Sequence, residues 1–114
     1  MATYTHENLD SGNCRVIKVT VAGSETSQNL EFGQWADASV QVYGNFAAGS
    51  ISIEGSNDGV NFSVLNDAQG NALTVNTNKI EQILESTRFK RVVATSVTAV
   101  DVTFFLLRAQ QLRV

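Results

Sequence analysis

The feature that most constrains the fold is the stretch at residues 50–67, SISIEGSNDGVNFSVLND. Ile51 and Ile53 alternate with polar residues, and this period of two gives an extended strand one apolar and one polar face. The run Asn57-Asp58-Gly59 follows, and these residue types tolerate the positive φ that a tight reversal needs. Alternation then resumes at three apolar residues, Val60, Phe62 and Val64. The stretch therefore predicts a β-hairpin whose two strands are each half buried.

Length, charge and cysteine content limit the classes of protein that fit. The chain has 114 residues, enough for one domain that removes about 65% of its unfolded surface from water. Its net charge of −3 gives no basis for nucleic-acid binding, which relies on a basic field. Cys14 is the single cysteine, so packing rather than a disulfide must hold the fold. No apolar run approaches the roughly 20 residues that span a bilayer, and the N-terminus lacks the order of a signal peptide. We expect synthesis in the cytosol and no association with membranes.

The distribution of charge and the absence of proline both bear on assembly. Residues 1–78 carry two basic and eight acidic residues, whereas residues 79–114 carry six basic and three acidic ones. This split could let one copy meet the next or dock on an acidic platform, unless folding simply intermixes the charges. Proline, which often blunts exposed strand edges, is absent. Neighbouring subunits would cover such edges.

Further strands are predicted where β-branched or alternating residues recur, at residues 14–22, 30–33, 38–43, 72–75, 88–95 and 100–109. Residues 78–86 fit two structures. Asn78 and Glu81 could form the capping box of a short helix, but nine residues are marginal for a helix and both neighbours are strands. We therefore predict an irregular strand there. In the last strand Phe105 and Leu107 lie opposite the other apolar residues, which indicates a central strand or a face buried by another subunit.

Short strands separated by turn residues, without a long helix, predict an all-β fold, an antiparallel β-sandwich of the jelly-roll kind. We expect this single domain to span residues 14–109. Residues 1–13 are polar with scattered apolar side chains, so we expect a flexible N-terminal arm without a core of its own. Residues 110–114 would form a C-terminal tail that reaches outwards.

Residues able to carry chemistry are few and isolated. His6, the single histidine, has no second ligand candidate nearby, so a solvated residue is a better interpretation than a metal ligand. Cys14 has no neighbour that would activate its thiol, and we interpret it as a small buried hydrophobe. Asp67, Gln69 and Asn71 are spaced like the start of a calcium loop, but position 78 is asparagine where the loop needs a closing glutamate. That departure favours a plain turn.

Catalysis needs groups that this chain does not bring together by any recognisable motif. Acyl-transfer hydrolysis needs a nucleophile, a base and an orienting group, and the single histidine lies in the predicted arm. Glu54, Asp58 and Asp67 flank one hairpin and would allow glycoside cleavage, although each stands where a solvent face or a turn would place it. No glycine loop leads from a strand into a helix, so a phosphate cradle is unsupported. We predict no enzymatic activity, no cofactor and no metal site.

The stretches ISIEGSNDGVNFSVLND and TRFKRVVATSVTAVDVTFFLL carry a family resemblance. The matching positions are Gly55 to Gly59, an aromatic residue three positions later, and a basic-aromatic strand with Arg88, Phe89 and Arg91. With this pattern the chain resembles small β-sandwich structural proteins of tailed bacteriophage virions, often ones that decorate the head. The same positions also resemble discoidin-like, galactose-binding jelly rolls, although Phe62 stands where that family commonly has tryptophan.

The virion resemblance implies a capsid decoration or cement protein that binds the phage head and stabilises contacts between major capsid subunits. On this hypothesis the partner is the major capsid protein, and the protein is a homo-oligomer with a trimer favoured. Its location would be the virion surface, after synthesis in the host cytoplasm. Contact area multiplied by valency would supply the affinity. The predicted partner-binding residues come from the arm and the C-terminal end: Tyr4, His6, Leu9, Arg108, Leu112 and Arg113.

The second resemblance implies a different function, a glycan-binding module on a phage tail or fibre. Its aromatic residues would stack on sugar rings, and the candidates are Trp35, Tyr43 and Phe62. For Trp35 the commoner role in a small β-domain is to close one end of the core. Binding to empty shells would favour the decoration hypothesis, and binding to a glycan array without capsid binding would favour the glycan hypothesis.

Overall fold

The computed structural model describes residues 3–9 and 12–108, and these residues form ten β-strands and no α-helix. The strands are β1 (Thr3–Leu9), β2 (Cys14–Gly23), β3 (Leu30–Glu31), β4 (Asp37–Asn45), β5 (Ser50–Ser56), β6 (Ser63–Val64), β7 (Thr74–Val75), β8 (Lys79–Gln82), β9 (Phe89–Thr95) and β10 (Val97–Leu107). The all-β prediction is confirmed.

The strands form two antiparallel sheets that pack face to face around one core. Sheet 1 has the order β1-β2-β10-β4-β8, and sheet 2 has the order β3-β9-β5-β6 with β7 also paired to β5. Alternate residues point inward, as Ile17, Val19 and Val21 of β2 do, and these three are at most 1% exposed. β10 lies in the middle of sheet 1, and its inward residues Val102 and Phe104 are fully buried. The predicted antiparallel β-sandwich and the central position of the last strand are both confirmed.

The chain crosses from sheet 2 to sheet 1 at Ser96, between β9 and β10. Ser96 has a φ of 53°, in the left-handed region, and its N–H donates to the Ser24 hydroxyl at 2.9 Å. Val97 follows and is already buried, and a bulge between Val97 and Val100 restores the pairing with β2. Residues 96–99 lie between the last two predicted strands, but all of them except Ser96 belong to β10, because one residue makes the turn.

The prediction of a flexible arm is wrong for residues 3–9. They form β1, whose seven residues pair antiparallel with residues 14–20 of β2. All of them except Tyr4 are exposed, so backbone hydrogen bonds rather than buried side chains hold this strand. A strand held in this way leaves no apolar periodicity in the sequence. Residues 1, 2, 10 and 11 of the predicted arm, and the predicted tail at 110–114, lie outside the described residues.

The predicted hairpin is present, but its second strand has a different register. The turn runs over residues 57–62, and β6 contains Ser63 and Val64 alone. Val60 is 78% exposed and Val64 is 40% exposed, whereas Leu65 is 4% exposed and packs in the core. Since side chains alternate with a period of two, the long turn moves the predicted inward residues to the outside.

Residues 79–82 form β8, an edge strand of sheet 1 beside β4, as the irregular-strand prediction requires. Ile80 is 58% exposed and Leu84 is 54% exposed, while Ile83 is buried. The helix-like spacing of these apolar residues therefore marks no helix face.

Gly49 gives a stability prediction for the connection between β4 and β5. Its N–H donates to the Phe46 carbonyl oxygen at 2.8 Å, and an added Cβ would overlap the carbonyl oxygens of Thr95 and Ser96. We expect Gly49→Ala to lower the free energy of unfolding by about 1–3 kcal/mol, because the backbones must separate to relieve the overlap. Urea unfolding measures this change.

The control for this substitution is Gly33→Ala. An added Cβ there would meet, at 2.8 Å, the flexible end of the Glu31 side chain, which can move away. We expect a change within about 0.5 kcal/mol for this variant. Equal losses in the two variants would contradict the interpretation of Gly49.

Candidate interaction surface

Exposed hydrophobic side chains are concentrated on one face of the molecule. Among the described residues eight large hydrophobic side chains are exposed, and five of them project from sheet 1 on the side away from sheet 2: Leu9, Tyr43, Ile80, Phe105 and Leu107. They share this side because residues opposite each other in an antiparallel pair project to the same face, while neighbours along a strand alternate. We call this side the outer face of sheet 1.

One end of this face carries a continuous apolar cluster, the Phe105 patch, which consists of Leu9, Cys14, Val16, Phe105 and Leu107. In the strand register Leu9, Cys14 and Leu107 lie side by side across β1, β2 and β10. Val16 and Phe105 form the next row, in which Glu7 occupies the β1 position. Phe105 and Leu107 are 38% and 39% exposed, and Cys14 and Val16 are half-buried. Contiguous exposed apolar side chains of this kind mark interaction sites.

The outer face of sheet 2 is polar by comparison, and its side chains satisfy one another. Arg91 and Glu54 form an ion pair there, with an Nη2 to Oε1 distance of 2.8 Å. The Arg91 guanidinium also lies 3.9 Å from the centre of the Phe62 ring. Ser52 and Thr74 join their hydroxyl groups in a 2.9 Å hydrogen bond. Sheet 1 therefore presents the better docking face.

The predicted partner-binding residues lie in different places. Leu9 belongs to the Phe105 patch, whereas Tyr4 and His6 project from the other side of β1 with their ring centres 5.7 Å apart. Tyr4 also packs against the core. Arg108 follows β10 at the end of the sandwich that carries the patch. Leu112 and Arg113 lie outside the described residues. Of the predicted set, the structure brings Leu9 and Arg108 to the same end of the molecule.

Trp35 closes that end of the sandwich. The indole is 7% exposed and belongs to the core cluster, as predicted for a tryptophan that closes a core. The guanidinium carbon of Arg15 lies 5.3 Å from the ring centre, and that of Arg108 lies 4.8 Å from it. Arg15 directly precedes Val16 and Arg108 directly follows Leu107, so both arginines lie at the end of sheet 1 that carries the Phe105 patch. Arg15 pairs with the buried Leu106 and therefore projects from the opposite face of β2 to Val16. Sequence reasoning missed this cluster, because no local motif links residues so far apart in the chain.

The three carboxylates that flank the hairpin each contact neighbouring groups of the protein. Glu54 lies in its ion pair with Arg91. Asp58 accepts hydrogen bonds from backbone N–H groups of the turn. These bonds, among which that from Asn61 has the largest effect, hold the pKa of the Asp58 carboxyl well below its usual range. Asp67 is 4% exposed, and its Oδ1 accepts two backbone N–H groups of its own turn at 2.9 Å each. This segment is therefore a hydrogen-bonded turn.

Within the described part of the chain, no group of three His, Cys, Asp or Glu side chains is placed to hold a metal ion. An open cleft of about 390 Å³ lies beyond the end of β4 that is remote from Trp35, between residues 44–47 and 76–78. None of its lining residues carries an ionisable side chain. No helix among residues 3–9 and 12–108 has the length and the apolar composition to span a membrane.

The three aromatic residues proposed for sugar stacking lie on different surfaces. Trp35 is buried at the end of the core. Tyr43 is 45% exposed on the outer face of sheet 1, and the Phe62 ring lies against the Arg91 guanidinium of sheet 2. A sugar platform needs exposed rings on one surface. The structure does not bring these rings together.

Comparison with known proteins gives matches in fold rather than in sequence. No protein family and no curated protein matches the chain. The SPBc2 prophage-derived protein YomS matches with a TM-score of 0.66 and 12% identity, over 94% of this chain and 95% of that one. A cupin domain from Bordetella pertussis Tohama I matches with a TM-score of 0.58 and 12% identity, over 95% of this chain and 94% of that one.

An oxalate oxidase also matches, with a TM-score of 0.60 and 11% identity over 94% of this chain, which spans 51% of the longer enzyme. Identities this low establish the fold alone. This chain has the two-sheet jelly-roll fold, and it shares that fold with cupin domains and with a prophage-derived protein.

Proposed function

We propose that this protein is a non-enzymatic structural protein of a phage virion that decorates the head and stabilises contacts between major capsid subunits. The observation that carries the proposal is the Phe105 patch on the outer face of sheet 1, opposite a sheet whose outer side chains pair with one another. The resemblance of residues 50–107 to virion proteins and the fold shared with YomS support the same class. The partner on this proposal is the major capsid protein, and neither nucleic acid nor membrane takes part.

Docking through the Phe105 patch would be driven by removal of apolar surface from water. Full burial of a Leu or Phe side chain contributes about 1.5–3 kcal/mol. Leu9, Phe105 and Leu107 each keep 38% or 39% of their surface exposed, so each would add roughly a third of that amount on docking. One patch alone therefore gives modest affinity, and an oligomer that engages several capsid subunits at once would bind far more tightly.

The free edge of β1 supports an oligomer. β1 is the outermost strand of sheet 1, seven residues long, and its outer edge pairs with no other described strand. An exposed edge of this length invites pairing with another chain, and the sequence contains no proline that would blunt it. We propose a homo-oligomer, with a trimer favoured, whose copies cover these edges on the virion surface. Synthesis would take place in the host cytoplasm.

Co-sedimentation with empty phage shells tests the proposed function. We expect the wild-type protein to pellet with shells and to raise their resistance to heat. Phe105→Asp should weaken binding at least tenfold, because it places a charge within the apolar patch. The matched control is Val64→Asp, since Val64 is 40% exposed on the outer face of sheet 2.

The control should bind shells as the wild type does. Failure of the wild-type protein to bind shells would overturn the proposal. Equal loss of binding in Phe105→Asp and Val64→Asp would move the docking face away from sheet 1.

A further inference from the structure

Two arginines stand apart from every other cationic side chain that the structure describes. Residues 3–9 and 12–108 contain seven lysines and arginines. Four of them, Lys18, Lys79, Arg88 and Arg91, lie within 4.0 Å of a carboxylate, and Lys90 interacts electrostatically with Glu85. The remaining two, Arg15 and Arg108, have no acidic partner among the described residues, and both lie against Trp35.

The two guanidinium groups are held in place by neutral acceptors. Arg108 donates from Nε to the Gly12 carbonyl oxygen at 2.7 Å and from Nη1 to Gln34 Oε1 at 3.0 Å. Arg15 donates from Nε to Asn8 Oδ1 at 2.8 Å. These bonds fix both side chains, while Nη2 of Arg108 and both Nη groups of Arg15 remain without an acceptor in the described residues. Because the groups are fixed in advance, a ligand would lose little side-chain entropy on binding.

The arrangement contains hydrogen-bond donors in excess. The guanidinium carbons of Arg15 and Arg108 can be no more than about 10 Å apart, since they lie 5.3 Å and 4.8 Å from the same ring centre. The Nε1 of Trp35 is buried and has no hydrogen-bond partner among the described residues. Asp37 begins β4 opposite Leu107 at this end of the sheet, yet it forms no ion pair with either arginine. An acid is thus near in the fold, and the two cations remain available.

We propose that Arg15 and Arg108, supported by Trp35, form a binding site for carboxylate side chains of the docking partner. The proposal rests on the proposed function, because the site lies at the end of sheet 1 that carries the Phe105 patch. A guanidinium group presents two parallel N–H donors that match the two oxygens of a carboxylate. The Phe105 patch at the same end of sheet 1 favours large apolar residues on the same partner segment. The occupant is therefore an acidic protein segment in which Asp or Glu residues stand next to large apolar ones.

The single tryptophan makes the site directly observable. Trp35 is the one tryptophan of the chain, so its fluorescence reports on this end of the sandwich alone. The probe is a synthetic peptide in which glutamates alternate with leucines. We expect a saturable change in Trp35 emission with this peptide, weakened by added salt, and none with a peptide that carries glutamine in place of glutamate. No change with the glutamate peptide, or the same change with the glutamine peptide, would overturn the proposal.

The paired variant Arg15→Gln with Arg108→Gln tests the two residues. We expect it to weaken peptide binding at least tenfold while far-UV circular dichroism remains unchanged. The lysine pair, Arg15→Lys with Arg108→Lys, keeps the charge and the aliphatic stems and should lose affinity by an intermediate factor, since lysine lacks the planar fork. The matched control is Arg88→Gln, because Arg88 also lies over an aromatic ring, at 4.7 Å from Phe89, but is paired with Glu31.

The control should bind the peptide as the wild type does, and an equal loss in the control and the paired glutamine variant would overturn the assignment. A change in emission of the same size with inorganic phosphate, at the same concentration, would show a general anion site and overturn the carboxylate assignment.

Shell binding separates this inference from the proposed function. If the paired glutamine variant binds empty shells as well as the wild type does, the partner carboxylate does not dock here and the inference fails while the proposed function stands. If the wild type binds the glutamate peptide but no shells, the site stands and the proposed function fails.

Discussion

Replacement of Phe104 by alanine is expected to lower the free energy of unfolding by about 3–5 kcal/mol. Phe104 is fully buried in the central strand of sheet 1, opposite Ile17 of β2 and Val40 of β4. Its ring meets that of Phe32 edge to face, with ring centres 5.4 Å apart and an angle of 87°. The substitution removes this contact and leaves a cavity where both sheets meet. Urea-induced unfolding at neutral pH, followed by Trp35 fluorescence and circular dichroism, measures the loss.

The neighbouring residue provides a matched control on the same strand. Phe105 is 38% exposed because it projects from the opposite face of β10. We expect Phe105→Ala to change the free energy of unfolding by about 1 kcal/mol or less. In the shell assay we expect the opposite order. Phe105→Ala should weaken shell binding directly, whereas Phe104→Ala should affect binding through folding alone. Similar losses of stability in the two alanine variants would show that the two faces of β10 are not distinguished as described.

The strands that could be predicted from the sequence are those in which apolar side chains facing the core alternate with polar side chains. In β2 the residues Ile17, Val19 and Val21 alternate with polar ones, and each is buried as expected. In β4 the same holds for Val40 and Val42. Burial of apolar surface dominates the energetics of these strands, and it leaves a period that a reader of the sequence can recognise.

The elements that sequence reasoning missed depend on backbone pairing or on distant contacts. β1 has exposed side chains and is held by its pairing with β2, which no residue pattern records. The register of the hairpin depends on the length of the turn, and Asp58 shapes that turn through hydrogen bonds to backbone N–H groups. Turn length alone decides which of Val64 and Leu65 points inward.

The candidate site also has one part that the sequence predicts and one part that it does not. The second apolar face of β10, with Phe105 and Leu107, could be predicted from alternation. The sequence does not predict that the pairing of β1, β2 and β10 brings Leu9 beside this face. It also does not predict that Arg15 and Arg108 both contact Trp35. These contacts join segments about 20 to 100 residues apart, and the sheet order that creates them has no local signature.

Lys90 is a further residue whose position the sequence leaves ambiguous, and it carries the second large prediction. The strand around it has apolar residues at both Phe89 and Val92, so alternation does not decide which face is inward. In the structure Lys90 projects into the core and is 2% exposed. Its Nζ donates to the carbonyl and hydroxyl oxygens of Thr87 at 3.3 Å and 3.1 Å and lies 4.6 Å from the centre of the Phe32 ring. Burial lowers the pKa of Lys90 to about 8, against a smaller opposing effect of Glu85.

This shift predicts how stability depends on pH. Below pH 8 the ammonium group is protonated in both the folded and the unfolded chain, so the folded state bears the full penalty of burying a charge. Between about pH 8 and pH 10.5, the ordinary pKa of lysine, the unfolded chain binds a proton that the folded chain lacks. The free energy of unfolding therefore rises with pH across this range, by about 3 kcal/mol from this residue.

Lys90→Met is expected to remove this dependence and to stabilise the protein at pH 7 by about 1–3 kcal/mol, because a buried charge is replaced by an apolar chain of similar length. Urea unfolding of both proteins from pH 7 to pH 10.5 measures the difference, which should shrink as the wild type loses its proton. The matched control is Lys79→Met. The Lys79 side chain is 46% exposed and lies 3.2 Å from Glu81, and we expect a change within about 0.5 kcal/mol at every pH. A Lys90→Met protein that is less stable than the wild type at pH 7 would show that hydrogen bonding to Thr87 outweighs the cost of burying the charge. A difference that stays constant with pH would show that folding does not lower the pKa of Lys90.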